Sequence, residues 1–253
     1  MVRISSLLED LDALLQPSQF RDYGPNGLQV PGAEEVARVV TGVSAQTALF
    51  ERAIELDAQL VLVHHGLFWD FLPSGLSRRQ LERLRPLLVH DVNLVAYHLP
   101  LDAHPEVGNN ALLARALGCD AQEPFGEHRG AAIGRLGRFA EPVAVDDLLA
   151  RVARACGGRE PLLQGAGPPQ VRSIGIISGS AADSLDEAVA RGCDAFLTGE
   201  PREHVMADAR EAGIHFIAAG HYATETHGVR ALGERLAARF GIEHVFVDLF
   251  NPV

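Results

Sequence analysis

Short apolar runs alternate along the chain with amphipathic stretches whose apolar residues recur every three to four positions. The runs predict strands at Val36–Val43, Leu60–Val63, Asn93–Tyr97, Ala131–Arg138, Ser173–Ser178, Ala195–Leu197, His215–Ala218 and His244–Asp248. Between them the helical spacing predicts helices at Gln46–Leu56, Arg78–Leu88, Asn109–Leu117, Asp146–Ala155, Asp183–Arg191, Glu203–Ala212 and Thr224–Phe240. Runs such as LVLV and IGII are continuous rather than alternating, as in strands covered on both faces. The order predicts βαβ units and an α/β fold with parallel or mixed sheets. Asp120–Gly130 and Gly157–Pro169 are rich in Gly, Pro and charge and have little periodicity. The first reads as a domain boundary and the second as a surface loop. The opening MVRISSLLEDLDALLQ reads as an amphipathic helix and not as a signal peptide, because acids interrupt its apolar pattern.

Composition narrows the function classes. The chain has 253 residues, enough for one large α/β domain or two small ones. No apolar run approaches the roughly 20 residues that span a bilayer, so no membrane partner is expected. The net charge of −11 disfavours nucleic-acid binding. The three cysteines, Cys119, Cys156 and Cys193, are far apart and in no CxxC spacing, which fits a reducing cytosol and a cytoplasmic protein. All 22 basic residues are arginine, so lysine-based chemistry, from Schiff bases to the P-loop, is excluded.

Three strand ends gather ligand-type residues. LVLVHHG runs a buried strand into His64 and His65, whose side chains converge only if the backbone turns, and Gly66 eases a turn. The same residues also read as a polar strand end. NLVAYHLPLDAHPEVGNN places His98, Asp102 and His104 in a proline-stiffened loop, with Gly108–Asn110 as caps of the next helix. A lone aspartate in such a loop is more often a turn former than a ligand. In HFIAAGHYATETHG a strand and a Gly220 turn lead to His221 and Glu225, four apart and on one face if a helix begins there. His227 reads as surface. Three imidazoles and two carboxylates suit Zn, Mn, Fe, Co or Ni better than Ca. Five ligands exceed one tetrahedral ion, and two ions about 3.5–4 Å apart account for the count.

YGPNGLQV, LVLVHHG, YHLPLDAHPEVGNN, FLTGE and AAGHYATE, in this order over residues 23 to 225, resemble the Ngg-interacting-factor-three-like family. Its bacterial members are commonly named GTP cyclohydrolase type 2 homologues. The resemblance implies two interlinked α/β domains with mixed sheets and a dinuclear metal site in the cleft between them. It assigns the ligand roles to His64, His65, Asp102, His221 and Glu225, with Glu225 bridging. It also implies a homohexameric ring, and the short form of the family without a central insert. Because His221 and Glu225 must then reach His64, the C-terminal segment returns to the first half. The expected domains are 1–125 plus 217–253, which binds the metals, and a smaller one over 126–216.

The implied activity is hydrolysis of a nucleotide or related purine compound. His98 and His104 are candidate proton carriers, or groups that orient Asp102. Glu200, His204, Trp69 and Tyr222 are candidates for the substrate cleft. Phe68 and Trp69 can stack on a base or be buried at a subunit contact, and Glu200 can equally be a first-turn acid. The loop SGSAADS reads as a helix start capped by Ser180. A metal carrier or interaction scaffold without catalysis is the alternative reading, since an open coordination position looks the same in sequence.

Overall fold

The computed structural model describes residues 1–73 and 75–253. In chain order the first elements are β1 (Val2–Arg3), α1 (Ile4–Leu15), β2 (Gly27–Val30), β3 (Glu35–Val36) and β4 (Arg38–Ser44). Then come α2 (Thr47–Glu55), β5 (Leu60–His65), α3 (Arg78–Val89) and β6 (Asn93–Ala96). The middle of the chain forms α4 (Leu99–Ala103), α5 (Asn109–Leu117), β7 (Ala121–His128), β8 (Ala131–Ala144), α6 (Val145–Ala155) and β9 (Leu162–Gln164). It continues with β10 (Gln170–Ile176), α7 (Leu185–Ala190), β11 (Ala195–Thr198), α8 (Glu203–Ala212) and β12 (His215–Ala218). The last elements are α9 (His221–Thr224), α10 (Thr226–Phe240) and β13 (Glu243–Phe246). This is an α/β fold with mixed sheets, in two compact units: Met1–Leu101 with Gly228–Phe250, and Asp102–His227 with Asn251–Val253.

The first unit holds a five-stranded sheet in the order β13-β4-β5-β6-β2. Four strands run parallel and β2 closes one edge antiparallel to β6. Val61 and Val63 pack with Leu49, Phe50, Leu84 and Leu87 in one cluster, while Leu60 and Leu62, pointing the other way, are also fully buried. That double burial is why LVLV is continuous. The C-terminal return is fastened at α10, where Arg235 and Arg239 both reach the buried Asp10 of α1 at 3.0–3.1 Å.

The second unit is a six-stranded sheet, β7-β8-β10-β11-β12-β9, with β10, β11 and β12 parallel. Separate apolar clusters cover it: Leu113, Leu148 and Val152 in one, Leu185, Val205 and Ala209 in the other.

The unit limits differ from those read from composition. Asp120–Gly130 is no boundary: Ala121–His128 forms a hairpin with β8, and the two-residue turn Arg129-Gly130 has φ of 51° and 90°. Positive φ at both central residues is what a type I′ hairpin turn needs. The loop at 157–169 likewise contains β9, paired with β12. The units instead divide at Leu101/Asp102 and His227/Gly228, so His221 and Glu225 belong with the middle segment. Among the described residues no helix is long and apolar enough to cross a membrane.

Candidate metal centre

In the first unit three imidazoles converge. His64 is fully buried at the end of β5, and its Nδ1 lies 3.0 Å from the Tyr97 carbonyl. A carbonyl only accepts, so this partner assigns the proton to Nδ1 and leaves the lone pair on Nε2. His65 Nδ1 lies 3.1 Å from the hydroxyl of Ser44, its neighbour across the ladder on β4. His98, just past β6, donates from Nδ1 to Asp22 Oδ1 at 2.7 Å. The ring centroids stand 4.7, 4.9 and 5.5 Å apart.

One ring nitrogen from each of the three lies within 4.8 Å of the other two. Zinc holds imidazole nitrogens at about 2.0–2.1 Å, so two nitrogens on one such ion are at most about 4.2 Å apart. Neutral imidazoles with Nδ1 engaged elsewhere are the donors that Zn, Fe, Co or Ni take. The residues therefore fit a divalent ion.

Gly66 plays a different part from the one expected. Its φ is not in the left-handed region; a Cβ there would collide with the Gln29 side chain, whose Oε1 accepts from Leu67 N at 2.8 Å. A small cleft beside the histidines is lined by His64, His98, Asn26, Gln29, Phe68 and Trp69. Its own room is only about 10 Å³, roughly what one water-sized group needs. Trp69 donates from Nε1 to Gly66 O at 3.1 Å, stacks on Phe71 and meets His98 edge-on at 5.2 Å.

In the second unit the carboxylates are held from several sides. Asp102 lies in the short helix α4, not in a loop, and is buried. Its Oδ1 accepts from Asn109 Nδ2 at 2.8 Å and from Ser178 Oγ at 3.1 Å. Asn110 accepts from Ser178 N at 2.7 Å and donates to Ile133 O at 2.8 Å. The two asparagines thus do not cap α5, where Gly108 is the N-cap; they lock Asp102 and Ser178. Ser180 is exposed and is not the cap: a 3-10 turn begins at Ala182 with Ala181 as its N-cap, and α7 follows from Leu185.

His221 and Glu225 do not share one continuous helix. α9 ends at Thr224, and Glu225 stands between it and α10 with φ −113°. Even so, His221 Nε2 lies 3.2 Å from Glu225 Oε2, and His221 Nδ1 hydrogen-bonds Glu200 Oε1. Burial alone would lower the His221 pKa, but Glu225 and Glu200 outweigh it and raise it to about 9. Each imidazole nitrogen therefore faces a carboxylate, an environment that favours any cation.

The remaining candidates fall elsewhere. His104 Nδ1 accepts from Glu106 N and Val107 N at 3.1 and 3.2 Å, so it shapes its own turn. His204 is exposed beside Asp183 at 3.5 Å. Tyr222 is buried, 8% exposed. His227, expected at the surface, is half-buried with Nε2 3.0 Å from Ala155 O. Asp22, Ser44, Asn109 and Ser178 are among the residues that sequence reasoning passed over as side-chain partners of the candidate ligands. Only the position of Asp22 directly before YGPNG gave any signal.

A Pseudomonas aeruginosa protein named GTP cyclohydrolase 1 type 2 homolog is 49% identical over 251 residues, covering 99% of both chains. A solved structure described as protein ybgI, unknown function, matches with TM-score 0.93 at 40% identity over 100% of both chains. The protein TTHA1606 from Thermus thermophilus matches with TM-score 0.92 at 36% identity, again over 100% of both chains. The profile of Duf34/NIF3 (NGG1p interacting factor 3) matches residues 2–252, and the chain belongs to that family.

Proposed function

We propose that the chain holds two divalent metal ions through His64, His65, Asp102, His221 and Glu225 and hydrolyses a nucleotide or related purine compound. The observation that carries the reading is the adjacent pair His64 and His65 at the end of β5, each with Nδ1 engaged by a protein oxygen, as metal-binding imidazoles usually are. Asp102 and Glu225, both buried carboxylates, add the anionic oxygen donors that two ions need. The substrate class is supported by the name of the Pseudomonas aeruginosa relative.

Divalent ions bound here would supply Lewis acidity and lower the pKa of water toward 7. The chain's own side chains do the rest. Asn109 and Ser178 fix one Asp102 oxygen, and Glu200 orients the His221 ring through Nδ1. Trp69 and Phe68, at the cleft beside His64, offer faces for a planar base. The family resemblance adds a homohexameric ring, and the three buried, unbridged cysteines fit a reducing cytosol.

The test is a hydrolysis screen with metal-stripped chain reloaded with Mn, Zn, Fe, Co or Ni and offered GTP, other nucleotides and simple phosphoesters. Turnover that needs two ions per chain and is lost in His64→Ala/Glu225→Ala supports the reading. Two tightly bound ions with no turnover on any of these would assign the chain to metal carriage or scaffolding instead.

A further inference from the structure

Arg135 of β8 is, among the described residues, the one arginine that is buried, with 7% of its surface exposed. Its Nη2 donates to the main-chain carbonyl of Ala103, and its Nε, also buried, has no hydrogen-bond partner. Near it stands Arg115 of α5, whose Nη1 and Nη2 donate to the carbonyls of Glu106 and Pro105 at 2.6 and 2.7 Å. Among the described residues no carboxylate pairs with either guanidinium. Other arginines find acids: Arg235 and Arg239 hold Asp10, Arg38 holds Glu243 and Arg138 holds Glu123.

We infer that Arg135, with Arg115, is an oxyanion seat in the second unit that takes one phosphate group, either free phosphate or the phosphate of a larger molecule. Ala103, the turn at 105–106, Arg115 and Arg135 all lie in that unit. The inference goes beyond the metal reading and needs no metal, although Ala103 directly follows the proposed ligand Asp102.

Three observations support it. A guanidinium does not shed its proton in a protein, so a buried one is normally paired with an acid. Arg135 has a second cation near it instead: burial and then the charge of Arg115 push its pKa down. In a chain with 33 acids to 22 arginines, two neighbouring cations without a carboxylate call for an anion that the chain does not supply. The donors also have the right chemistry. A guanidinium presents a planar fork of N–H groups that fits two phosphate oxygens, and a second guanidinium matches the charge of a dianion. Finally, the seat is firm behind and loose in front. Asn110 Nδ2 donates to Ile133 O at 2.8 Å and pins β8 two residues before Arg135. One carbonyl is all that holds the Arg135 guanidinium, so it can turn its Nε edge toward an anion arriving past the exposed Arg115.

The test uses the full chain stripped of metal, so that phosphate held by an ion does not count. Inorganic phosphate is titrated in by calorimetry at constant ionic strength, with chloride in its place as the control. The expected result is one phosphate per chain and a thermal midpoint that rises with phosphate but not with chloride. Arg135→Met, which keeps an unbranched apolar stem, should weaken binding about 10–100-fold and remove that rise. Arg115→Gln, at an exposed position, keeps the test open if the first variant does not fold, and should weaken binding roughly tenfold. GMP separates the two sources. Binding tighter than that of phosphate and lost in the same variants assigns the seat to a nucleotide's phosphate; binding no tighter assigns it to free phosphate. The inference is overturned if the parent chain binds no phosphate, or if the variants bind it as the parent does. A purely structural Arg135 gives that second result, with a shifted midpoint and an unchanged response to phosphate. Metal uptake by a chain that ignores phosphate would keep the metal reading and overturn this inference alone.

Discussion

His64 gives its Nδ1 proton to the carbonyl of Tyr97, 3.0 Å away, so one buried imidazole is tied to the end of the next strand. This bond turns a strand-end histidine into a preset metal donor. Long-range ¹H–¹⁵N correlation of the metal-free chain should show His64 as the Nδ1–H tautomer near neutral pH. A resonance pattern with the proton on Nε2 would remove the geometric case for His64 as a ligand.

Asp102 depends on two donors, Asn109 and Ser178. Hydrogen bonds to a charged group contribute about 1.5–3 kcal/mol each, so Asn109→Ala should lower the unfolding free energy by roughly that amount. Ser178→Ala, which removes the longer bond at 3.1 Å, should cost less. Urea unfolding of the two variants gives the ranking, and the reverse order would contradict it.

Gly179 has φ +69°, and a Cβ there would collide with Glu225 Oε1 and come within 3.3 Å of His221 Nε2. Gly179→Ala should therefore incur the backbone penalty of about 1–2 kcal/mol and also weaken metal binding. Gly130→Ala, with φ +90° in open space, is the control that keeps only the backbone penalty. Equal metal affinity in the two variants would show that Gly179 does not shelter the ligand pair.

The Asp22 carboxyl is held at about 2 against an ordinary 3.8, despite the opposing effect of burial. A carboxyl whose folded pKa is depressed stabilises the fold above its unfolded value and loses that contribution as pH falls through the folded one. The Asp22 contribution is thus complete above about pH 4 and fades toward pH 2. Asp22→Asn should flatten acid unfolding in that window relative to the parent, as followed by circular dichroism.

Burial pushes the thiols of Cys119 and Cys156 up to about 12 and that of Cys193 to about 11. The thiolate is the nucleophile, so iodoacetamide at about pH 8 should leave the folded chain unmodified by mass. In urea all three cysteines should react. An adduct on the native chain would show an opening that the packed sheet does not provide.

Much of this was legible from the chain. Asn109–Leu117, Glu203–Ala212 and His215–Ala218 form as their periodicity predicts, because each buries one regular face or a continuous run. β7 escaped notice because it is the outermost strand of its sheet, where Pro124 and Gly126 are tolerated, and so carries no strand pattern. β9, the opposite edge, hid in the same way in a Gly-rich stretch. The helix break at Glu225 and the Asp22–His98 bond were hidden for another reason. The bond joins two residues 76 positions apart, which a local pattern does not encode, and the break falls inside a stretch whose helical spacing is unbroken.

The measurement that bears most directly on the central claim is the metal content of the stripped and reloaded chain, counted per chain by elemental mass spectrometry. The account predicts two divalent ions on the parent chain and a loss of at least one in His64→Ala and in Glu225→Ala. A parent chain that retains none of Mn, Zn, Fe, Co or Ni after reloading would contradict it.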